Sequence, residues 1–233
     1  MKLELESLNK KFNKKNVLND ISFTFEHGKI YGILGRNGAG KTTLFNCICG
    51  NLEFDAGKCS IITDNNIKQE IKYHDIGMVS ASPVLPEFLT GYEFIKFYME
   101  VNEIKRSKEI IEQYFELVRL SKEDQHHLIK EYSFGMKNKL QLLCCLIAKS
   151  PVILLDEPLT SLDIIVSHDI KELIMQMKRE HIIIMSTHIL QLARDVCDEI
   201  VILDQGTLNG TDFTKMDYEN FELGIINALQ DVK

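Results

Sequence analysis

The sequence predicts an α/β fold: a mixed sheet at the core, an antiparallel β subdomain near the N-terminus and an inserted α-helical subdomain. Three observations carry this. Gly35-Arg36-Asn37-Gly38-Ala39-Gly40-Lys41-Thr42 satisfies every position of the phosphate-loop pattern G-x-x-x-x-G-K-S/T, between an apolar run and a helix start. Val152-Ile153-Leu154-Leu155 is a run of four apolar residues, suited to a strand buried on both faces, and it ends in Asp156-Glu157. Between these stretches, residues 91–120 carry apolar positions at helical spacing, which marks helices placed inside the α/β chain.

In order along the chain, Leu3-Leu5-Leu8 and Ile21-Phe23-Phe25 alternate with polar residues around a basic, Asn-rich turn, which predicts two antiparallel strands over residues 2–27. Phe12 lies at that turn, where it either returns to stack on a base or serves only structure. Lys29 to Leu34 is a short strand and Thr42 to Ile48 opens a helix. After a loop from Gly50 to Gly57 come short strands at Cys59–Ile62 and Ile76–Val79, and two prolines break the chain between Ser80 and Pro86. Two amphipathic helices follow over 91–120. His126-His127 reads as a solvated helix end, since no third metal ligand lies near. Tyr132-Ser133-Phe134-Gly135-Met136 precedes a helix over Lys137–Lys149, with Leu140, Leu143, Cys144 and Ile147 on one face. Ile164–Arg179 is a helix, His181–Thr187 a buried strand, Ile189–Val196 a helix and Ile200–Leu203 a strand. Gly206 and Gly210 bracket a final hairpin, and Asp217–Leu229 is a short closing helix.

Composition narrows the function classes. A chain of 233 residues with 45% hydrophobic content can bury a full core, and its formal net charge of -7 argues against a binder of nucleic acid backbones. No run reaches the ~18 apolar residues of a membrane span, and the N-terminus lacks a signal-peptide core, so a cytosolic protein is expected. The six cysteines show no zinc spacing and are expected as buried thiols.

The chemistry follows from residue types. Glycines at 35, 38 and 40 let backbone N–H groups approach a polyphosphate, and the helix behind them adds a partial positive charge. Lys41 is expected on the β- and γ-phosphate oxygens, the Thr42 hydroxyl on Mg²⁺ and Thr43 on the α-phosphate. Asp156 is placed to meet Mg²⁺. Neighbours on a strand point to opposite sides, so Glu157 is expected to hold the attacking water instead. His188 ends a buried strand where ligands collect in open α/β sheets, and is expected to touch the γ-phosphate. The small and hydroxyl residues ahead of the Lys137–Lys149 helix, Ser133 and Gly135, form a second potential anion site at a helix entrance.

Taken together these stretches resemble the ATP-binding subunit of a bacterial ABC transporter, over nearly the whole chain. In that family's terms Gly35 to Thr42 is Walker A, Val152 to Asp156 is Walker B, Glu157 is the catalytic glutamate, Ser161-Leu162-Asp163 is the D-loop and His188 the switch histidine. Tyr132 to Met136 resembles the signature L-S-G-G-Q, and Phe12 resembles the aromatic that stacks on adenine. The resemblance implies a P-loop NTPase core with the β subdomain over 1–84 and 151–233, and the helical subdomain with its signature over 85–150. It also implies ATP and Mg²⁺ as cofactors, a second ABC ATPase subunit as partner, and a transmembrane permease that holds the chain peripherally at the cytoplasmic face of the membrane. Two such subunits face head to tail, so that Ser133, Gly135 and Met136, with Asp163, complete the nucleotide site of the other. Three positions depart from the family: Ala81 where a Q-loop glutamine is common, Phe134 for the first signature glycine, and Met136 for the signature glutamine. The last resembles exporters of peptides and antibiotics, and the short stretch after the last hairpin leans the same way. The alternatives are a nucleotide-dependent regulatory subunit with little turnover, suggested by Ala81 and Phe134, and a soluble ABC ATPase acting on ribosomes or DNA.

Overall fold

A computed structural model describes residues 1–13, 15–105, 107–160, 162–211 and 220–225. Strands β1 (Lys2–Phe12) and β2 (Lys15–Glu26) pair antiparallel, as the alternation predicts. After β3 (Ile30–Leu34) comes helix α1 (Lys41–Ile48), then β4 (Ala56–Ile62) and β5 (Lys68–Glu70), which complete a four-stranded antiparallel sheet in the order β2-β1-β4-β5. Strand β6 (Ile76–Val79) leads to α2 (Gly91–Val101), α3 (Lys108–Leu117) and α4 (Phe134–Ala148). The chain continues through β7 (Val152–Asp156), α5 (Ile164–Met177), β8 (Ile182–Thr187), α6 (Leu190–Val196), β9 (Glu199–Asp204) and β10 (Thr207–Thr211). The second sheet runs β10-β9-β3-β8-β7-β6, parallel from β9 to β6, with β10 antiparallel at one edge.

Side-chain alternation sorts this second sheet between two apolar clusters. Ile30, Leu34, Ile153, Leu155, Ile183, Met185 and Ile200 join the cluster with buried residues of α2 to α6. Tyr31, Ile33, Val152, Leu154, Ile182, Ile184, Val201 and Leu203 join Leu44 and Phe45 of α1 and Leu3, Leu5 and Phe25 of the antiparallel sheet. Burial on both faces explains the unbroken apolar runs read in the sequence. On the α4 side, Arg119 pairs with Asp169 and Glu172 of α5, and buried Lys139 reaches Asp169 at 2.8 Å. All six cysteines are free; Cys47, Cys145 and Cys197 are buried and the other three half-buried.

Several boundaries differ from the sequence reading. Helix α4 begins at Phe134 instead of Lys137, because Ser133 caps it, its Oγ accepting from the Met136 N–H at 3.2 Å. Strand β5 was not anticipated: Lys68-Gln69-Glu70 is three exposed polar residues on a sheet edge, with no apolar period to betray them. The last hairpin turns at Gln205-Gly206, both at positive φ as a two-residue turn demands, while Gly210 lies inside β10 opposite Val201. Of the expected closing helix, residues 220–225 are helical with Phe221 and Ile225 buried. The remainder of 217–229, like Ser161, lies outside the described residues.

Candidate functional site

The parallel strands bring their C-terminal ends to one edge, the place where open α/β sheets gather ligands. From β3 the chain enters the loop Gly35–Gly40. Gly40 caps α1 at φ 108°, in the left-handed region that glycine adopts freely, with no side chain to accept from the helix. The N–H groups of Lys41, Thr42 and Thr43 thus have no carbonyl in the preceding turn. Gly35 is fixed by closeness: a Cβ there would lie 2.5 Å from the Leu203 carbonyl oxygen. Buried Lys41 donates its Nζ to the Gly35 carbonyl at 2.7 Å, holding an ammonium inside the loop.

The end of β7 meets this loop directly. Thr42 Oγ1 donates to Asp156 Oδ2 at 2.8 Å, and Ser186 Oγ at the end of β8 donates to Asp156 Oδ1 at 2.5 Å. Asp156 is buried, so both carboxylate oxygens need these partners. An oxygen-only pair of one carboxylate and one hydroxyl beside a phosphate cradle fits Mg²⁺, which takes few protein ligands and draws the rest from phosphate and water.

Glu157 corrects the reasoning that placed it, though not its position at the site. Strand β7 ends at Asp156, and Glu157 sits beyond it at φ 50°, so strand alternation does not set its direction. Its N–H donates to Ser186 O at 3.2 Å and to Ser186 Oγ at 3.0 Å, which secures a left-handed conformation that costs a non-glycine residue about 1–2 kcal/mol. The carboxylate is reached by His188 Nδ1 at 2.9 Å and accepts from Thr160 Oγ1 at 3.1 Å. With Nδ1 donating to the carboxylate, the Nε2 of His188 is left for another partner.

These parts enclose a cleft of about 360 Å³ lined by Phe12, Val17, Asn37, Gly38, Ala39, Gly40, Lys41, Thr42, Thr43, Asp156 and Glu157. Phe12 thus stands on the same cleft as the loop, 45% exposed, with Lys10 Nζ 5.5 Å from its ring centroid. Arg36 lines an adjoining cleft with Lys15, Asn16 and the β9–β10 turn, and contributes its carbonyl to the Ala39 N–H.

The family profile described as ABC transporter matches residues 18–160. The chain belongs to the ABC transporter family. The ABC transporter ATP-binding protein YhcH of Bacillus subtilis, itself uncharacterized, is 34% identical over 210 residues, 88% of this chain and 68% of its own length. The bacitracin transport ATP-binding protein BcrA of Enterococcus faecalis is 31% identical, over 88% of this chain and 67% of its own. A solved ATP-binding subunit of an ABC transporter superposes with a TM-score of 0.81 at 26% identity, covering 97% of this chain and 100% of that one. This protein is accordingly an ABC-type ATPase with the fold of the family's ATP-binding subunits. Among its described residues no helix is long and apolar enough to cross a membrane.

The remaining expected site residues of this ABC ATPase do not line the cleft. Ser133 and Phe134 are exposed at the start of α4, Met136 is half-buried, and Gly135 is pressed against α5, where a Cβ would come within 2.6 Å of Val166 Cγ1. Asp163 caps α5, its Oδ1 accepting from the N–H groups of Ile165 at 3.0 Å and Val166 at 2.9 Å. Ser133 to Met136 and Asp163 therefore form a neighbouring surface of two capped helix starts. Sequence reasoning missed Ser186, Thr160 and Val17 in the cleft's frame. Only Ser186 left a signal, a hydroxyl at the end of an otherwise apolar strand.

Proposed function

We propose that two copies of this chain, or this chain and a close paralogue, bind ATP and Mg²⁺ between the loop of one and the signature of the other, and that hydrolysis drives a separate transmembrane permease. The observation that carries this reading is the Glu157–His188 contact at the mouth of a cleft already holding Lys41, Thr42 and Asp156. Lys41 and the first amides of α1 hold the β- and γ-phosphates; Phe12 stacks on the base. Thr42 and Asp156 would hold Mg²⁺, which would neutralise charge that builds on the phosphate oxygens. Glu157 orients the attacking water and takes its proton, while His188 fixes that carboxylate and reaches the γ-phosphate with its other nitrogen. In the partner, Ser133 and the Gly135 amide as donors, with Met136 and Asp163 beside them, complete the site, which accounts for their distance from the cleft of their own chain.

The permease would dock on a groove of about 1190 Å³ between β6 and α2 to α4, whose lining includes Val84, Leu85, Phe94, Tyr98 and Val101. Exposed Phe88 and Phe97 belong to the same helical region, proposed as a subdomain over 85–150. Docking there would hold the chain at the cytoplasmic face of the membrane. The relative named for bacitracin transport supports peptides, antibiotics or similar amphipathic compounds as cargo. Glu157→Gln is expected to reduce steady-state phosphate release by about 10³-fold and to trap ATP-bound pairs. Turnover at the parent rate would remove Glu157 from this role.

A further inference from the structure

We infer that Gln141 is a positioning residue for ATP hydrolysis: it fixes the loop that leaves β6 and, through Asn138, ties that loop to the turn carrying Glu157. The inference rests on the function proposed above. Ala81, next to Ser80 in that loop, has only a methyl group to offer. Helix α4 supplies an amide instead. The Ser80 N–H donates to Gln141 Oε1 at 3.1 Å, and Gln141 Nε2 donates back to the Ser80 carbonyl at 3.5 Å. This two-way bond treats the loop as a sheet neighbour would. The same Nε2 donates to Asn138 Oδ1 at 3.5 Å, one turn earlier on α4, and Asn138 Nδ2 donates to the Pro158 carbonyl at 3.4 Å. Pro158 directly follows Glu157.

Gln141 and Asn138 are 8% and 2% exposed within a helix that otherwise packs on the apolar core. A buried amide costs about 1–3 kcal/mol when unpaired, so apolar residues would be the easier filling here. What the two amides reach is specific: one loop at the C-terminal edge of β6 and one at the C-terminal edge of β7, the strands that flank the active edge. Three of the four bonds lie between 3.4 and 3.5 Å, long enough to break or tighten at small cost, which suits a transmitting contact better than a rigid clamp. Gln141 also lines the groove between β6 and the helices. A segment seated there pushes on the residue that sets Ser80 and, two bonds further, the backbone beside Glu157.

The test uses the full chain with ATP and Mg²⁺. Gln141→Met keeps volume and removes the amide; it is expected to lower kcat about tenfold with KM for ATP within about twofold, and to speed residue-resolved hydrogen exchange at the Ser80 amide. Asn138→Leu is expected to lower kcat similarly, and the double variant to fall no further than the lower single, the mark of one relay. Parent-like kcat in Gln141→Met, or losses that multiply in the double, would overturn the inference. Should either variant fail to fold, the unaltered chain still decides: its Ser80 amide must be protected, and rapid exchange there contradicts the geometry. A parent chain that releases no phosphate would sink the proposed function, whereas the exchange measurement would go on testing the contact itself.

Discussion

Two helix starts in this molecule meet the same electrostatic problem in opposite ways. Helix α1 begins at Gly40, which brings no side-chain acceptor, so its first amides stay available to a ligand. Helix α4 begins at Ser133, whose Oγ already accepts from the Met136 N–H at 3.2 Å. Both starts carry the partial positive charge of a helix N-terminus. Only the first is shaped as a cradle, with an ammonium, a hydroxyl and a carboxylate around it. On the function proposed above, the second adds a hydroxyl proton and its remaining amides to an anion held by the partner's cradle.

Breaking the contrast at α1 is expected to have the largest effect. Gly40→Ser would bring a capping hydroxyl to the wrong helix, force a side chain into φ 108° and place Cβ 3.1 Å from Val17 Cγ1 and from the Val17 carbonyl oxygen. ATP affinity measured by calorimetry should fall by about 100-fold. The capped start of α5 offers a smaller, sharpening test. Asp163→Ala removes the acceptor for two amides of α5 and should lower unfolding stability in urea by about 1 kcal/mol, without the large affinity loss of the Gly40 change. An equal loss of ATP affinity in both variants would erase the distinction between cradle and cap.

The smallest effect lies away from both starts. Buried His181 is pushed below the ordinary imidazole range by burial, partly opposed by its Nδ1 contact with the Ser150 carbonyl at 2.7 Å. Its folded value is thus depressed, so the unfolded chain takes up the proton first. The stability it contributes is complete above about pH 6.5 and is lost as pH falls below that value. His181→Gln should flatten the decline in urea midpoint between pH 7.5 and 5.5, and an unchanged slope would assign that decline to other groups.

The parts of the site written in single residues along one strand-loop-helix unit were legible in the sequence. Gly35 to Thr43 and Asp156 had to be where they are because a parallel strand delivers its last residue to one edge. Glu157 was legible as a residue and not as a conformation, since nothing in Leu-Asp-Glu-Pro announces a left-handed turn held by Ser186. Buried polar residues were the larger loss. Asn138, Lys139 and Gln141 look like the solvent side of an amphipathic helix, and only the packing of α4 against β6 and α5 turns them inward. Strand β5 escaped for the reverse reason, having no buried face to impose a period. The first turn of α4 escaped because the apolar face that marks the helix in the sequence begins only at Leu140.

Sedimentation of the Glu157→Gln chain with ATP and Mg²⁺, with and without Ser133→Ala, tests the assignment of the two helix starts most directly. Shared binding predicts that Glu157→Gln alone shifts from one copy to two when ATP is added, and that the double variant still binds ATP but stays single. Equal pairing in the presence and absence of Ser133 would contradict it.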